Sequence, residues 1–261
     1  MRDCYARFTD DEAYIDREIE KYGKGTLVFA LTPEHITGKM VEESWKDITM
    51  SEKTQMEVTI EGNPAKPQGE AGAQMLDRMN QSHDALTRWA LGFLHNNKTD
   101  TLLDIGCGGG ATLHKLAALT TGKVYGIDYS PVSVETSKAF NKTNIESGNM
   151  EVFEASVSAL PFADDTFGGI TTVESFYFWG NPEEDLKEVR RVLKAGGTFL
   201  IIADIYGKSD LDATTKQNNE RFHLFNPTPA QFEQLLCEAG FHDVKIHLKE
   251  GTDWICAEAK K

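Results

Sequence analysis

Asp104 stands two residues ahead of a glycine cluster, Gly106-Cys107-Gly108-Gly109-Gly110, at the end of the short apolar run Leu102–Ile105. Glycines at such a point let the backbone take dihedrals closed to other residues, or lie directly against a ligand. The helix expected to follow opens with unpaired N–H groups and a partial positive charge. A nucleotide-type ligand at a strand–helix turn is therefore the first chemistry to consider. A carboxylate at the lip of the strand suits a ligand with a positive charge, such as an α-ammonium group, and is poorly placed beside a pyrophosphate. Asp128 closes the next apolar run, Val124–Ile127. An acid about 20 residues past the glycines is positioned to accept hydrogen bonds from ribose hydroxyls. The plain alternative for Asp128 is a helix cap, since Ser130 and Pro131 open a helix just beyond it.

Three further places hold residues able to handle a second reactant. His83, in Met79-Asn80-Gln81-Ser82-His83, is either a base or substrate contact, or a surface or capping histidine. The segment Glu174-Ser175-Phe176-Tyr177-Phe178-Trp179 follows the fourth strand, and its aromatics suit a cage for an apolar or cationic molecule. The plain alternative places Phe176 and Phe178 in the core while Tyr177 and Trp179 line the pocket. Asp204 to Asn226 is a long polar stretch with the length of a lid or substrate loop, offering Tyr206, Arg221, Phe222 and His223. A solvated helix is the alternative there. His83 and Tyr177 are the catalytic candidates, and no triad is evident. Cys237, His242, His247 and Cys256 match no zinc spacing, so no metal is expected.

The elements that must position these residues alternate regularly from residue 69 onward. Ala71–His95 reads as a helix, with Met75, Met79, Leu86, Trp89, Leu91 and Leu94 forming its apolar stripe. Strands are expected at Leu102–Ile105, Val124–Ile127, Met150–Glu154, Gly169–Val173 and Thr198–Ala203. Helices are expected between them at Ala111–Leu119, Pro131–Asn141 and Pro182–Leu193, the last closed by Gly196-Gly197. Such alternation gives a parallel sheet covered by helices on both faces. Thr228-Pro229-Ala230-Gln231 is a capping box for a helix ending at Ala239. Asp243–Leu248 and Trp254–Ala259 then read as strands whose short connection requires antiparallel neighbours. Residues 1–68 form an extension of unclear role, with helices at Asp10–Lys21 and Pro33–Asp47, a strand at Thr26–Leu31, and a linker at Gly62–Gly69. The main domain is residues 69–261.

The residues also carry a family resemblance. Leu103-Asp104-Ile105-Gly106-Cys107-Gly108-Gly109-Gly110 resembles motif I of class I S-adenosylmethionine-dependent methyltransferases, and Tyr125-Gly126-Ile127-Asp128-Tyr129-Ser130 resembles the motif after it. Ala159 to Phe167 resembles the LPF-x-D-x-x-F segment of the methyltransferase-11, ubiquinone/menaquinone-biosynthesis-like type. Glu188 to Gly197 resembles the helix and turn that follow. The resemblance covers roughly residues 75–260, with four motifs in order. It implies a Rossmann-like, doubly wound, seven-stranded and mostly parallel sheet, and S-adenosyl-L-methionine as cofactor. It further implies that Asp104 and the backbone of Gly106, Cys107 and Gly108 hold the methionine end. Asp128 would take the ribose and Tyr129 would pack on the adenine. Ser156 and Val157 would meet the adenine edge, although many relatives have Asp where Ser156 stands. Glu174 would lie by the sulfonium. His83, Tyr177, Trp179, Tyr206 and His223 are the expected substrate contacts.

Composition narrows the acceptor. The 261 residues carry a net charge of -14 and no basic run, which disfavours nucleic acid and favours a small molecule. No apolar run approaches the ~20 residues of a membrane span. The N-terminal residues lead into Asp10-Asp11-Glu12 without an apolar stretch, so no signal peptide and a cytoplasmic location are expected. A monomer or homodimer is expected. Two competing readings remain. An NAD(P)-dependent oxidoreductase predicts a further glycine after two spacers and an all-parallel sheet. A non-catalytic S-adenosylmethionine-binding protein predicts the same cofactor residues without turnover.

Overall fold

The computed structural model describes residues 53–261. The helices and strand expected before residue 53 lie outside the described residues. Helix α1 (Gln55–Gly62), α2 (Gly69–Ser82) and α3 (Asp84–Leu91) lead into strand β1 (Leu102–Ile105). Then follow α4 (Ala111–Ala117), β2 (Val124–Asp128), α5 (Pro131–Phe140), α6 (Lys142–Glu146), β3 (Met150–Glu154) and β4 (Phe167–Val173). The chain ends with α7 (Pro182–Val192), β5 (Leu193–Ala203), α8 (Ala213–Phe222), α9 (Pro229–Glu238), β6 (His242–Leu248) and β7 (Ile255–Lys260).

The seven strands form one sheet in the order β3-β2-β1-β4-β5-β7-β6. All pairings from β3 to β5 are parallel, and β7 runs antiparallel to both β5 and β6. The expected mostly parallel sheet with a closing antiparallel hairpin is therefore present, with β7 seated between β5 and β6. Burial on both faces explains the continuous apolar runs of β1 and β5. Leu103, Ile105, Phe199 and Ile201 enter one core cluster. Their alternate neighbours Leu102, Leu200 and Ile202 enter the other. Strand order reverses beside β1, which pairs with β2 on one side and β4 on the other. Ligands of such sheets bind in the crevice outside the carboxyl ends of the strands at that switch point.

Three differences from the sequence reading have physical causes. The expected helix Ala71–His95 breaks at His83, whose φ -90 and ψ 1 end α2 and start α3. The Thr87 hydroxyl donates to the His83 carbonyl at 2.8 Å and helps fix the bend. Helix α7 ends at Val192 and β5 begins at once, so Gly196-Gly197 falls inside a long strand; Phe167 pairs with Leu193 before a register shift. The breaker-rich run Gly62–Gly69 is a packed turn. Ser130 Oγ donates to the Pro67 carbonyl and the Tyr129 hydroxyl to the Ala65 carbonyl. Residues 53–68 thus belong to the compact unit that runs to Lys261. Among the described residues, no helix is long and apolar enough to cross a membrane.

Candidate functional site

A cavity of about 560 Å³ opens at the carboxyl ends of β1, β2, β4 and β5. The glycine loop forms its floor. Gly106 has φ +70, and a Cβ there would sit 2.1 Å from Ser175 Oγ. A Cβ on Gly109 would sit 2.6 Å from the Asn80 amide. The loop must therefore be glycine at both places for the backbone to reach the cavity. Asn80 clamps the loop from α2: its Nδ2 donates to the Gly109 carbonyl at 3.0 Å, and its Oδ1 accepts from the Ala111 amide at 3.3 Å.

Two carboxylates face this loop. Asp104 is 1% exposed and accepts from Thr171 Oγ1 at 2.7 Å. Burial pushes its carboxyl up to about 7, the nearby Asp128 charge adds to this, and the Thr171 hydrogen bond opposes it. A buried acid of this kind gains most from a cation beside it. Asp128 accepts from the Gly108 amide at 3.0 Å and the Ser130 amide at 2.9 Å. Its carboxyl is also raised, chiefly by burial. The α5 cap is Ser130, whose hydroxyl accepts from Ser133 N, so Asp128 is not the cap of that helix. Tyr129, Ser156, Val157 and Cys107 line the same end. Lys66 lies 5.3 Å from the centre of the Tyr129 ring. Ser156 caps the short 3-10 turn Val157–Ala159.

The other end of the cavity gathers His83, Glu174, Tyr177 and Asp204. Glu174 ends β4 in a left-handed conformation, φ 54, which is strained for a residue with a Cβ. Its side chain is 9% exposed. One oxygen accepts from the Tyr177 hydroxyl at 2.7 Å and the other from the Asp204 amide. Burial, with the Asp204 charge, holds the Glu174 carboxyl well above its usual range, and burial with the Glu174 charge does the same to Tyr177. His83 Nε2 stands 3.9 Å from Glu174 Oε2. Burial holds its imidazole below the usual value, Arg78 contributes in the same direction, and Asp204 opposes.

The cavity brings together His83, Asp104, Gly106, Cys107, Gly108, Asp128, Tyr129, Ser156, Val157, Glu174, Tyr177 and Trp179. It does not include Tyr206 or His223. Tyr206 packs against the main core cluster, and His223 is the exposed left-handed C-cap of α8. Arg221 is also outside the cavity and reaches Met56 Sδ of α1 at 3.4 Å. Phe222 lines it, as do Asn218 and Asn219, so one face of α8 roofs the cavity. Phe176 is core, whereas Phe178 lines the cavity, so the cage reading holds for Phe178 and the core reading for Phe176. Trp179 does both, with Nε1 donating to Ser175 Oγ at 3.4 Å. Asn80 and Asp204 went unmarked in the sequence. Asp204 carried the signal that marked Asp104 and Asp128, an acid at the carboxyl end of a parallel strand. Among the described residues, the group of three potential metal ligands is His83, Glu174 and Asp204, and Cys237, His242, His247 and Cys256 form no such group.

Residues 103–201 match a family model described as a methyltransferase domain. Cycloartenol-C-24-methyltransferase 1 of Oryza sativa subsp. japonica is 30% identical over 149 residues, 54% of this chain and 43% of that one. The O-methyltransferase resE of Aspergillus sclerotiorum is 28% identical over 191 residues, 71% of each chain. The chain thus spans less than half the length of the rice relative. Among solved structures, Haemonchus contortus phosphoethanolamine N-methyltransferase 2 in complex with S-adenosyl-L-methionine has a TM-score of 0.64 at 14% identity, covering 72% of this chain and 57% of that one. Human N-acetylserotonin methyltransferase in complex with the same ligand has a TM-score of 0.60 at 19% identity, covering 72% of this chain and 55% of that one. These two likenesses are likenesses of fold.

Proposed function

We propose that this chain, which carries the domain of the class I S-adenosylmethionine-dependent methyltransferases, transfers a methyl group from that cofactor to a small-molecule acceptor. One observation carries the reading: a single cavity joins the glycine loop, Asp104 and Asp128 at one end to His83, Glu174 and Tyr177 at the other. The residues fit the cofactor. Asp104 is a buried acid in want of a cation, which an α-ammonium supplies. Asp128 is held at the end of β2, where a ribose hydroxyl is read in folds of this kind. The bare backbone of the glycine loop lies against the cavity. The bound cofactor supplies an activated methyl group, so the protein's task is largely alignment of a nucleophile. His83 and Tyr177 are the groups placed to handle a proton at the acceptor end.

The oxidoreductase alternative predicted an all-parallel sheet, and β7 is antiparallel to both its neighbours. The acidic balance of the chain agrees with a small acceptor. Calorimetry with S-adenosylhomocysteine and with NADH tests the cofactor: we expect heat from the first and none from the second, and the reverse overturns the reading. A metabolite-extract screen with methyl-labelled cofactor then separates an enzyme from a binding protein that has lost turnover.

A further inference from the structure

We propose that the acceptor is an amine, whose nitrogen sits among His83, Glu174 and Asp204. The inference rests on the methyltransferase reading and names the substrate class of the same cavity. Each of the three side chains offers one atom, and these atoms all lie within 4.8 Å of one another. A guest atom at the centre of such a triangle is at most about 2.8 Å from each corner, within hydrogen-bond distance. Ligands sharing a zinc ion at about 2.1 Å stand closer together, about 3.4 Å apart. His83 Nε2 and Glu174 Oε2 are already 3.9 Å apart. The three atoms are therefore close enough for one nitrogen or oxygen to meet all of them at hydrogen-bond distance.

Charge decides between the two. Glu174 and Asp204 present two carboxyl groups to the guest, and Asp104 and Asp128 line the same cavity. Lys115, the cationic side chain on its wall, is paired with Asp84 at 2.8 Å. A hydroxyl gains negative charge as it loses its proton in the attack, and the neighbouring acidic groups offer that charge no cation. An amine arrives as a cation, with up to three N–H donors for three acceptors. Tyr177, Phe178 and Phe222 add aromatic walls that favour a cation further. In the transfer itself the positive charge moves from sulfur to the deprotonated nitrogen, toward the carboxyl groups, so they stabilise that transition state relative to the neutral amine that enters the step.

The step balances with the groups present. His83, held neutral in its buried setting, takes one proton from the bound ammonium and frees the lone pair. The nitrogen forms its bond to the methyl carbon as the carbon–sulfur bond breaks, and that electron pair stays on sulfur as a thioether. The product is a methylammonium, and the proton on His83 passes to solvent.

The test uses the chain saturated with S-adenosylhomocysteine and two probes that share a benzene ring, phenethylamine and p-cresol. We expect phenethylamine to bind at least about tenfold more tightly. Glu174→Gln should remove about tenfold from phenethylamine and less than about twofold from p-cresol. Equal or tighter binding of p-cresol, or equal losses for both probes, overturns the proposal. Since Glu174 also holds Tyr177 and the Asp204 amide, Asp204→Asn serves as a second variant, with the same expected selectivity. Tyramine with methyl-labelled cofactor gives a direct readout: label on nitrogen supports the proposal, and label on the phenol oxygen overturns it while leaving the methyltransferase reading intact. Failure to bind S-adenosylhomocysteine overturns that reading instead.

Discussion

Asp128 Oδ2 accepts a hydrogen bond from the Gly108 amide at 3.0 Å, so the end of β2 holds the glycine loop that follows β1. The same carboxylate closes on the Ser130 amide at 2.9 Å. One side chain therefore shapes the loop and faces the cavity. Asp128→Ala should weaken S-adenosylhomocysteine binding at least tenfold, about 1.4 kcal/mol. It should also lower stability by about 1–3 kcal/mol, because two amides lose their acceptor. Calorimetry and denaturant titration check the two effects. Unchanged affinity with lowered stability would mean that Asp128 serves only the fold.

Asp104 predicts a proton count. Its carboxyl is raised to about 7 by burial, while an unfolded Asp titrates near 3.9. Because the folded value is the higher one, this group's contribution to stability is full below about pH 4 and is lost as pH rises through about 7. A cofactor ammonium beside Asp104 would favour its ionised form. Binding at pH 7 should therefore release about half a proton. Calorimetry in buffers of different ionisation enthalpy measures that release directly. Asp104→Asn should reduce it and lessen the pH dependence of stability between pH 4 and 7, with Asp128 and Glu174 carrying the remainder.

The glycine-loop half of the cavity was legible because its signals are local. Asp104, the glycines and Asp128 each sit at a strand end, and a strand end is visible in a short window of sequence. The half around His83 and Glu174 depends on distant segments meeting. Asn80 reaches the loop only because α2 crosses above it, and Asp204 meets Glu174 only because β4 and β5 are neighbours. Tyr206 and His223 were chosen for residue type on the long segment after β5, but only the α8 face bearing Asn218, Asn219 and Phe222 meets the cavity. The break at His83 was hidden as well, since α2 and α3 together keep one apolar stripe, and Met75, Leu76, Leu86 and Ala90 are all buried.

Arg191 accounts physically for the Leu160-Pro161-Phe162 motif. Its guanidinium donates to the Leu160 carbonyl at 3.1 Å, the Phe162 carbonyl at 2.8 Å and Asp164 at 2.7 Å. It also forms a two-point pair with Glu188 at 2.8 and 2.7 Å, and Glu188 in turn accepts from the Leu160 amide at 2.9 Å. The motif is thus a staple that fixes the segment between β3 and β4. Arg191→Ala should cost about 1–3 kcal/mol, because two carbonyls and two carboxylates lose their donor together. At about 2–4 °C per kcal/mol for a domain of this size, the melting temperature should fall visibly. Cofactor affinity should change by less than about tenfold, since Arg191 does not line the cavity.

His83 carries the last prediction, because its protonation can be followed without knowing the acceptor. Burial and Arg78 lower its pKa, and Asp204 raises it. An NMR titration of the imidazole should therefore give a midpoint below 6.5. Asp204→Asn should move that midpoint lower still, by removing the charge that favours the imidazolium. Arg78→Gln should move it up. The sign for stability follows: an unfolded His binds its proton more readily, so this group's contribution is present above pH 6.5 and lost as pH falls through the folded value. If neutral His83 takes the acceptor's proton, the acid limb of kcat/KM must track the same midpoint, and must shift with Asp204→Asn in the same direction. A midpoint at or above 6.5, or an acid limb indifferent to both variants, would remove His83 from the proton path.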